Sequence, residues 1–258
     1  MTDFTLHQYK DLLDVLAREN YTFLSFREFL ENNYENKKIV ILRHDVDRLP
    51  QNALEMAKIE RSKNIVSSYY FRIVKESNDA NVITQIAELG HEIGYHYEDL
   101  TITKGNVEEA IKRFKENLQY FGSFYPVKTI CMHGSPLSRI DNRDIWRFFD
   151  YKTMGIIGEP YFDVDYNNVF YITDTGRKWN SVEYNVRDNV SSHFKIQIKS
   201  TQHLISLIGQ NNLPNMIMIN THPHRWFYGG IGWYKEYFGQ TLKNVAKRII
   251  LRLRDEKK

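Results

Sequence analysis

A single cysteine, Cys131, in 258 residues excludes an internal disulfide and any zinc site built from several thiolates. No apolar run approaches the roughly 20 residues that span a bilayer as a helix. The N-terminal stretch MTDFTLHQYKDLLDVLAREN is charged and amphipathic and lacks the apolar centre of a secretion signal, so a cytoplasmic protein is expected. Neither charge sign is in excess, with 35 Lys plus Arg against 32 Asp plus Glu. Residues 243–258 hold seven of the basic residues and only two of the acidic ones, which leaves the rest of the chain slightly negative. A broad nucleic-acid-binding surface is therefore not expected. No Pro/Gly-rich linker, internal repeat or low-complexity tract divides the chain, and residues 1–258 read as one domain.

Hydrophobic residues make up 42% of the chain, enough for a substantial core. Short β-rich runs alternate with helical patterns. Leu6, Tyr9, Leu12, Leu13 and Leu16 repeat at helical spacing behind Thr5, which suits an N-cap. Strands are expected at Ile39 to Leu42, SSYYF (67–71), EIGYH (92–96), TICM (129–132) and MIMIN (216–220). Helices are expected at 52–62 and near 79–89, 106–121 and 201–210. Repeated β–α units with short connections imply an α/β fold of parallel strands with helices outside. Pattern alone leaves a closed or distorted barrel and an open sheet both standing. YFDVDYNNVFYITD breaks the rhythm and reads as a β-hairpin or a pair of loops, with Asn167 and Asn168 at the turn. The aromatic stretch WFYGGIGWYKEYF (226–238) reads as a glycine-hinged loop, and a basic helix is expected at about 240–254. Docking on the barrel is the commoner explanation of such a helix, and peripheral contact with anionic lipid the rarer one.

Polar residues at strand C-termini mark the sites of such folds. ILRHDVDRLP (41–50) places His44, Asp45 and Asp47 directly at the end of an apolar run. Residues two apart share a face, so Asp45 and Asp47 can enter one pocket while His44 and Val46 point away. A salt-bridged turn with Arg43 and Arg48 is the competing explanation. In GHEIGYHYEDL, His91 and His96 differ by an odd number and face opposite ways, which leaves His96 as the site candidate. His133 and Gly134 follow TICM, Asp174 ends a strand ahead of Arg177 and Trp179, and His222 follows MIMIN.

In order and content these clusters resemble the polysaccharide deacetylase family, the NodB-homology group that includes carbohydrate esterase family 4. The resemblance spans about residues 39–226 and rests most on RHDVD, GHEIGYH and MIMINTH. It implies a distorted (β/α) barrel that uses a divalent metal, zinc being the expected one, to remove acyl groups from sugars. It makes Asp45 the general base, Asp47 and His96 metal ligands and His222 the general acid. Asp174 and Trp179 fall near the motif that orients the acid and lines the pocket.

Two departures stand out. The family's second histidine, four residues after the first, is here Leu100, which cannot bind metal, and MHGSP replaces an arginine-containing motif. His133 is the replacement ligand inferred from the residues, completing Asp47, His96 and His133; a hydrogen bond from His133 to Asp45 or to substrate is the alternative. Asp174, Arg177, Trp179, Gly134 and Ser135 are the expected substrate-binding residues, with backbone N–H groups of Gly134 and Ser135 facing the oxyanion. The expected activity is hydrolysis of an acyl group, N-acetyl in the first instance, from an amino sugar or glycan precursor. A metal-free C–N amide hydrolase and an inactive carbohydrate-binding relative remain open alternatives.

Overall fold

The computed structural model describes residues 2–34, 37–135, 138–180 and 188–255. The chain begins with α1 (Leu6–Arg18), β1 (Thr22–Leu24), α2 (Phe26–Glu31), β2 (Ile39–Val46) and α3 (Pro50–Arg61). β3 (Ser68–Phe71), α4 (Ala80–Glu88), β4 (Glu92–Tyr97), α5 (Asp99–Ile102), α6 (Val107–Gly122) and β5 (Ile130–Met132) follow. The last elements are α7 (Pro160–Asp163), β6 (Phe170–Thr173), α8 (Thr201–Gly209), β7 (Met216–Thr221) and α9 (Gly230–Asp255).

Every strand pairing is parallel, in the order β5-β4-β3-β2-β7-β6, with β1 alongside the start of β2. Among the described residues β5 and β6 share no ladder, so the curled sheet is a barrel left open between them. This is the distorted (β/α) barrel expected from the sequence. Alternate residues of each strand face opposite ways. Ile41, Tyr70, Cys131, Tyr171 and Met218 pack together in the lumen. Their neighbours Val40, Leu42, Tyr69, Ile130, Ile172, Ile217 and Ile219 lie against the outer helices. Gly94 is a lumen position that tolerates no side chain, because a Cβ there would sit 2.3 Å from the Tyr70 ring.

The expected strands and helices up to residue 220 appear within a few residues of their sequence-based limits, and the basic helix expected at about 240–254 begins earlier, at Gly230. Thr5 caps α1 through a reciprocal pair of hydrogen bonds with Gln8. Three readings change. Of the two forms left open for residues 161–174 the hairpin is not formed: the Glu159 side chain caps α7 ahead of Pro160, Asp165 closes a turn that does hold Asn167 and Asn168, and β6 follows. The stretch 226–238 is not a loop over most of its length, because α9 starts at Gly230 and takes in Trp233, Tyr234, Tyr237 and Phe238. β1 and α2 were not expected; three residues of strand are too short to show a period.

On its outer face β2 carries His44, fully buried under α1 and α3. Its Nδ1 pairs with Thr221 Oγ1 at 2.7 Å, and its Nε2 lies 2.8 Å from Glu60 Oε1, off the line of a hydrogen bond. Glu60, also wholly buried, accepts hydrogen bonds from the hydroxyls of Tyr9, Ser67 and Tyr69. Burial raises the Glu60 pKa, but His44, His91 and Ser67 outweigh it and push it down to about 2. A carboxyl whose pKa falls on folding stabilises the native state above its unfolded pKa, and that stabilisation is lost as pH falls through the folded value. Glu60→Gln is therefore expected to lower stability in urea unfolding wherever the carboxylate is charged. The gap to wild type should close as pH falls from about 4.5 towards 2. A gap that stays constant from pH 7 to about 3 would show that the carboxylate charge carries none of it.

Candidate functional site

The C-terminal mouth of the barrel gathers polar groups from five strands. Arg43 and Asp45 stand two apart on the lumen face of β2, and both are buried. Arg43 Nε donates to Asp45 Oδ1 at 3.0 Å and Nη2 to Oδ2 at 2.7 Å, a two-point ion pair. The guanidinium carbon lies about 6 Å from the ring centres of Tyr70, Tyr161 and Tyr171, an aromatic surround suited to a buried cation. Asn220 Nδ2 from β7 adds a third donor to Asp45, at 2.9 Å from Oδ2. Burial raises the Asp45 pKa, but Arg43, His96 and His222 outweigh it and hold the carboxyl well below the usual carboxylate range. The residue is a buried anion satisfied by hydrogen bonds, and a weak base.

Asp47, one residue past β2, is held differently. Its Oδ1 is buried and has no hydrogen-bond partner. His96 Nε2 and His133 Nε2 each stand 3.6 Å from that same oxygen. Both imidazoles are fixed from behind. His96 Nδ1 lies 3.0 Å from the Cys131 carbonyl, an acceptor, so a proton sits on Nδ1 and Nε2 is the nitrogen turned towards Asp47. His133 Nδ1 likewise donates to Glu98 Oε2 at 2.7 Å. Glu98 is clamped in turn by Arg72, whose Nε and Nη2 reach Oε1 at 2.9 and 2.6 Å. Burial raises the Glu98 pKa, yet His133 and Arg72 bring it down to about 2. For His96, burial pulls the pKa down, and Asp45 and Asp47 more than offset it.

This is the arrangement that orients metal-binding imidazoles, with the far nitrogen anchored on a carbonyl or carboxylate. Two donors on one tetrahedral zinc lie about 3.3–3.5 Å apart, given bonds of 2.0–2.1 Å. Each imidazole comes close to that spacing from Asp47, but the donor atoms of Asp47, His96 and His133 do not all lie within 4.8 Å of one another. A second combination is tighter: among the described residues, donor atoms of Asp45, His96 and Cys131 all lie within 4.8 Å of one another. Asp45, however, has both oxygens engaged by Arg43 and Asn220. Burial also pushes the Cys131 thiol pKa well up, so the sulfur keeps its proton. The unpartnered oxygen favours Asp47 as the carboxylate ligand.

Opposite this centre, His222 extends β7 one residue beyond Thr221, which is in register with His44, and so stands beside Asp45. Its Nδ1 donates to Asp174 Oδ1 at 2.6 Å, leaving Nε2 free. Asp174 is fully buried and accepts from the His222 backbone N–H, Arg225 Nη1 (2.7 Å) and Trp226 Nε1 (2.8 Å). Burial raises its pKa and Arg225 with His222 lowers it further, so Asp174 remains an anion behind His222.

Asp45, Asp47, His96, His133 and His222 thus come together, with Asp174 behind them as a positioning group. Ser135 joins the rim, its hydroxyl 3.3 Å from Glu98 Oε2, and Gly134 precedes it. Arg177 and Trp179 lie elsewhere. The Arg177 guanidinium donates to the Arg225 and Asp3 carbonyls and stacks on Trp233, and the Trp179 indole donates to Thr201 in the outer core. The tryptophan that touches Asp174 is Trp226. Sequence reasoning missed three contributors, Glu98, Asn220 and Trp226; the Arg43 pairing with Asp45 that it gave as the competing explanation is observed. Parity places Arg43, Glu98 and Asn220. Arg43 is two residues before Asp45, Glu98 two after His96, and Asn220 two before His222, each on the site's face of its strand.

No protein-family model matches the chain, and no curated protein sequence does either. Among solved structures it is similar to a carbohydrate esterase family 4 pseudoenzyme from Bacillus anthracis, with 11% identity, 83% of this chain covered and a TM-score of 0.45. A mutant of that pseudoenzyme with restored enzymatic activity matches at 10% identity and the same TM-score. The chain spans 63% and 65% of the length of those two, less than two thirds of either. It is also similar to a family 4 carbohydrate esterase from Bacillus anthracis, with 12% identity, 89% and 83% of the two chains covered and a TM-score of 0.40. A peptidoglycan N-acetylglucosamine deacetylase matches at 14% identity, with 95% and 91% covered and a TM-score of 0.45.

Proposed function

We propose that this chain is a divergent polysaccharide deacetylase that hydrolyses an N-acyl group from an amino sugar with the help of one divalent metal ion. The observation that carries the reading is the unpartnered, buried Asp47 Oδ1 facing two imidazole nitrogens. An orphaned carboxylate oxygen in such a place is costly unless a cation completes it. Asp47, His96 and His133 would hold the ion, and His133 would stand in for the ligand lost at Leu100. An ion bound there would supply Lewis acidity towards the acyl carbonyl and lower the pKa of a water molecule.

The chain's own residues divide the remaining work. Asp45 is fixed by Arg43 and Asn220 so that its carboxylate can accept a hydrogen bond from the attacking water and then its proton. Its low basicity makes it dependent on a water already made acidic. His222, held by Asp174 with Nε2 free, is placed to protonate the departing amine, and Asp174 stabilises the imidazolium before transfer. The strong hold on Asp45 also favours a second reading, in which the pocket binds a glycan without hydrolysing it.

Metal content and turnover separate these readings. Purified without chelator, or reconstituted with zinc, the protein is expected to bind one divalent ion per chain by elemental analysis. Asp47→Ala, His96→Ala and His133→Ala should each lose it, and Glu98→Gln should weaken affinity about 10–100-fold by releasing His133. Unchanged affinity in His133→Ala would remove that residue from the ligand set.

Asp45→Asn should keep the ion and lower turnover of an N-acetylated chito-oligosaccharide by about 10²-fold or more. Loss of the ion in that variant would make Asp45 a ligand. Wild-type protein that holds metal and binds the oligosaccharide but releases no acetate from it would favour the binding reading.

A further inference from the structure

Helix α9 is built inside out. Over its described side chains, residues 230–245, it buries Trp233, Glu236, Gln240 and Asn244, three of them polar. They are anchored: Trp233 Nε1 donates to the Asp3 carbonyl at 2.8 Å, Glu236 pairs with Arg48, and Asn244 Nδ2 donates to the Gly176 carbonyl at 2.9 Å. The opposite face is apolar and open to solvent. Ile231 is 75% exposed, Phe238 62% and Leu242 72%, with Tyr234 and Val245 each more than half exposed. A helix docked on a barrel for stability buries its apolar face. This one holds its apolar face away from the protein over about 21 Å of axis.

The spacing and charge of the face identify what it fits. Ile231 and Leu242 are eleven residues apart, as are Tyr234 and Val245, and the sequence continues the period with Ile249 and Leu253. An eleven-residue repeat, at 3.67 residues per turn, nearly matches the α-helix, so the stripe runs almost straight along the axis. A straight stripe can lie flat on a planar surface along its whole length, and a right-handed pair of helices is the other partner this period admits. Exposed Lys235 and Lys243 accompany the stripe, and residues 243–258 carry seven basic and two acidic residues. That excess opposes pairing with a second copy through the same region and complements an anionic surface. Tyrosine and phenylalanine are also the side chains that settle at a lipid–water interface. No helix among the described residues is long and apolar enough to cross a membrane, so α9 would lie on the surface.

We infer that α9 is an in-plane anchor that docks the protein on anionic phospholipid bilayers through Ile231, Tyr234, Phe238, Leu242 and Val245. The inference is independent of the reaction at the barrel mouth. The direct test is co-sedimentation of the full chain with vesicles of phosphatidylcholine alone or with about one third phosphatidylglycerol, at about 0.1 M salt. Binding is expected to the anionic vesicles only, and to fall at least tenfold in Phe238→Asp and in Leu242→Asp. Both positions are solvent-exposed, so circular dichroism and the melting temperature should not change. High salt should release the wild type, a readout that does not depend on any variant. Absence of binding to anionic vesicles at low salt would overturn the inference, as would binding that both variants retain. A dimer in sedimentation equilibrium that Phe238→Asp dissociates, without vesicle binding, would assign the face to a second copy instead.

Discussion

A central strand that carries charge on both of its faces must satisfy both, and β2 is such a strand. Arg43 and Asp45 point into the lumen, while His44 between them points out under α1 and α3, and all three are buried. Each direction has its own solution. In the lumen a two-point ion pair is walled by tyrosines and closed by Asn220. Outside, His44 rests between Thr221 and a Glu60 carboxylate supplied with three hydroxyl donors. Because β2 touches β1, β3 and β7, these two networks hold the middle of the barrel in register and fix the height at which Asp47 leaves the sheet.

The two aspartates at that exit are alike in chemistry and opposite in environment. Asp45 accepts three N–H bonds and is a settled anion. Asp47 keeps one buried oxygen without a partner, facing imidazoles whose other nitrogens are already committed. Burial of a charge is tolerable when it is paired, and an oxygen that meets only two imidazole nitrogens at 3.6 Å makes Asp47 the better candidate of the two to face a cation. Glu98 and Arg72 do for His133 what the Cys131 carbonyl does for His96, so both imidazoles are held from behind. On the far side Asp174 organises His222, Arg225 and Trp226 into one rigid corner.

Much of this was legible because strand parity is a strong constraint. The rule that residues two apart share a face brings Asp45 towards Asp47 and separates His91 from His96; His91 lies with Glu60 and Ser67 outside the barrel. The same rule, applied backwards from Asp45 and His222, reaches Arg43 and Asn220. What parity cannot supply is contact across long separations. Trp226, and not Trp179, meets Asp174 because the turn after β7 folds back over β6, and nothing local to either tryptophan records that. The apolar positions of α9 were visible at helical spacing, but spacing alone does not say whether the stripe faces inwards. Its polar anchors Glu236 and Asn244 decide the direction, through Arg48 and Gly176, which are remote in sequence.

The claim on which the rest turns is the position of the cation. Zinc soaked into crystals and located by anomalous scattering at its absorption edge tests that claim most directly. One peak is expected about 2.0–2.1 Å from His96 Nε2, His133 Nε2 and an Asp47 oxygen, with Arg43 still paired to Asp45. A peak coordinated by Asp45 and Cys131, or no peak at the barrel mouth under saturating zinc, would contradict it.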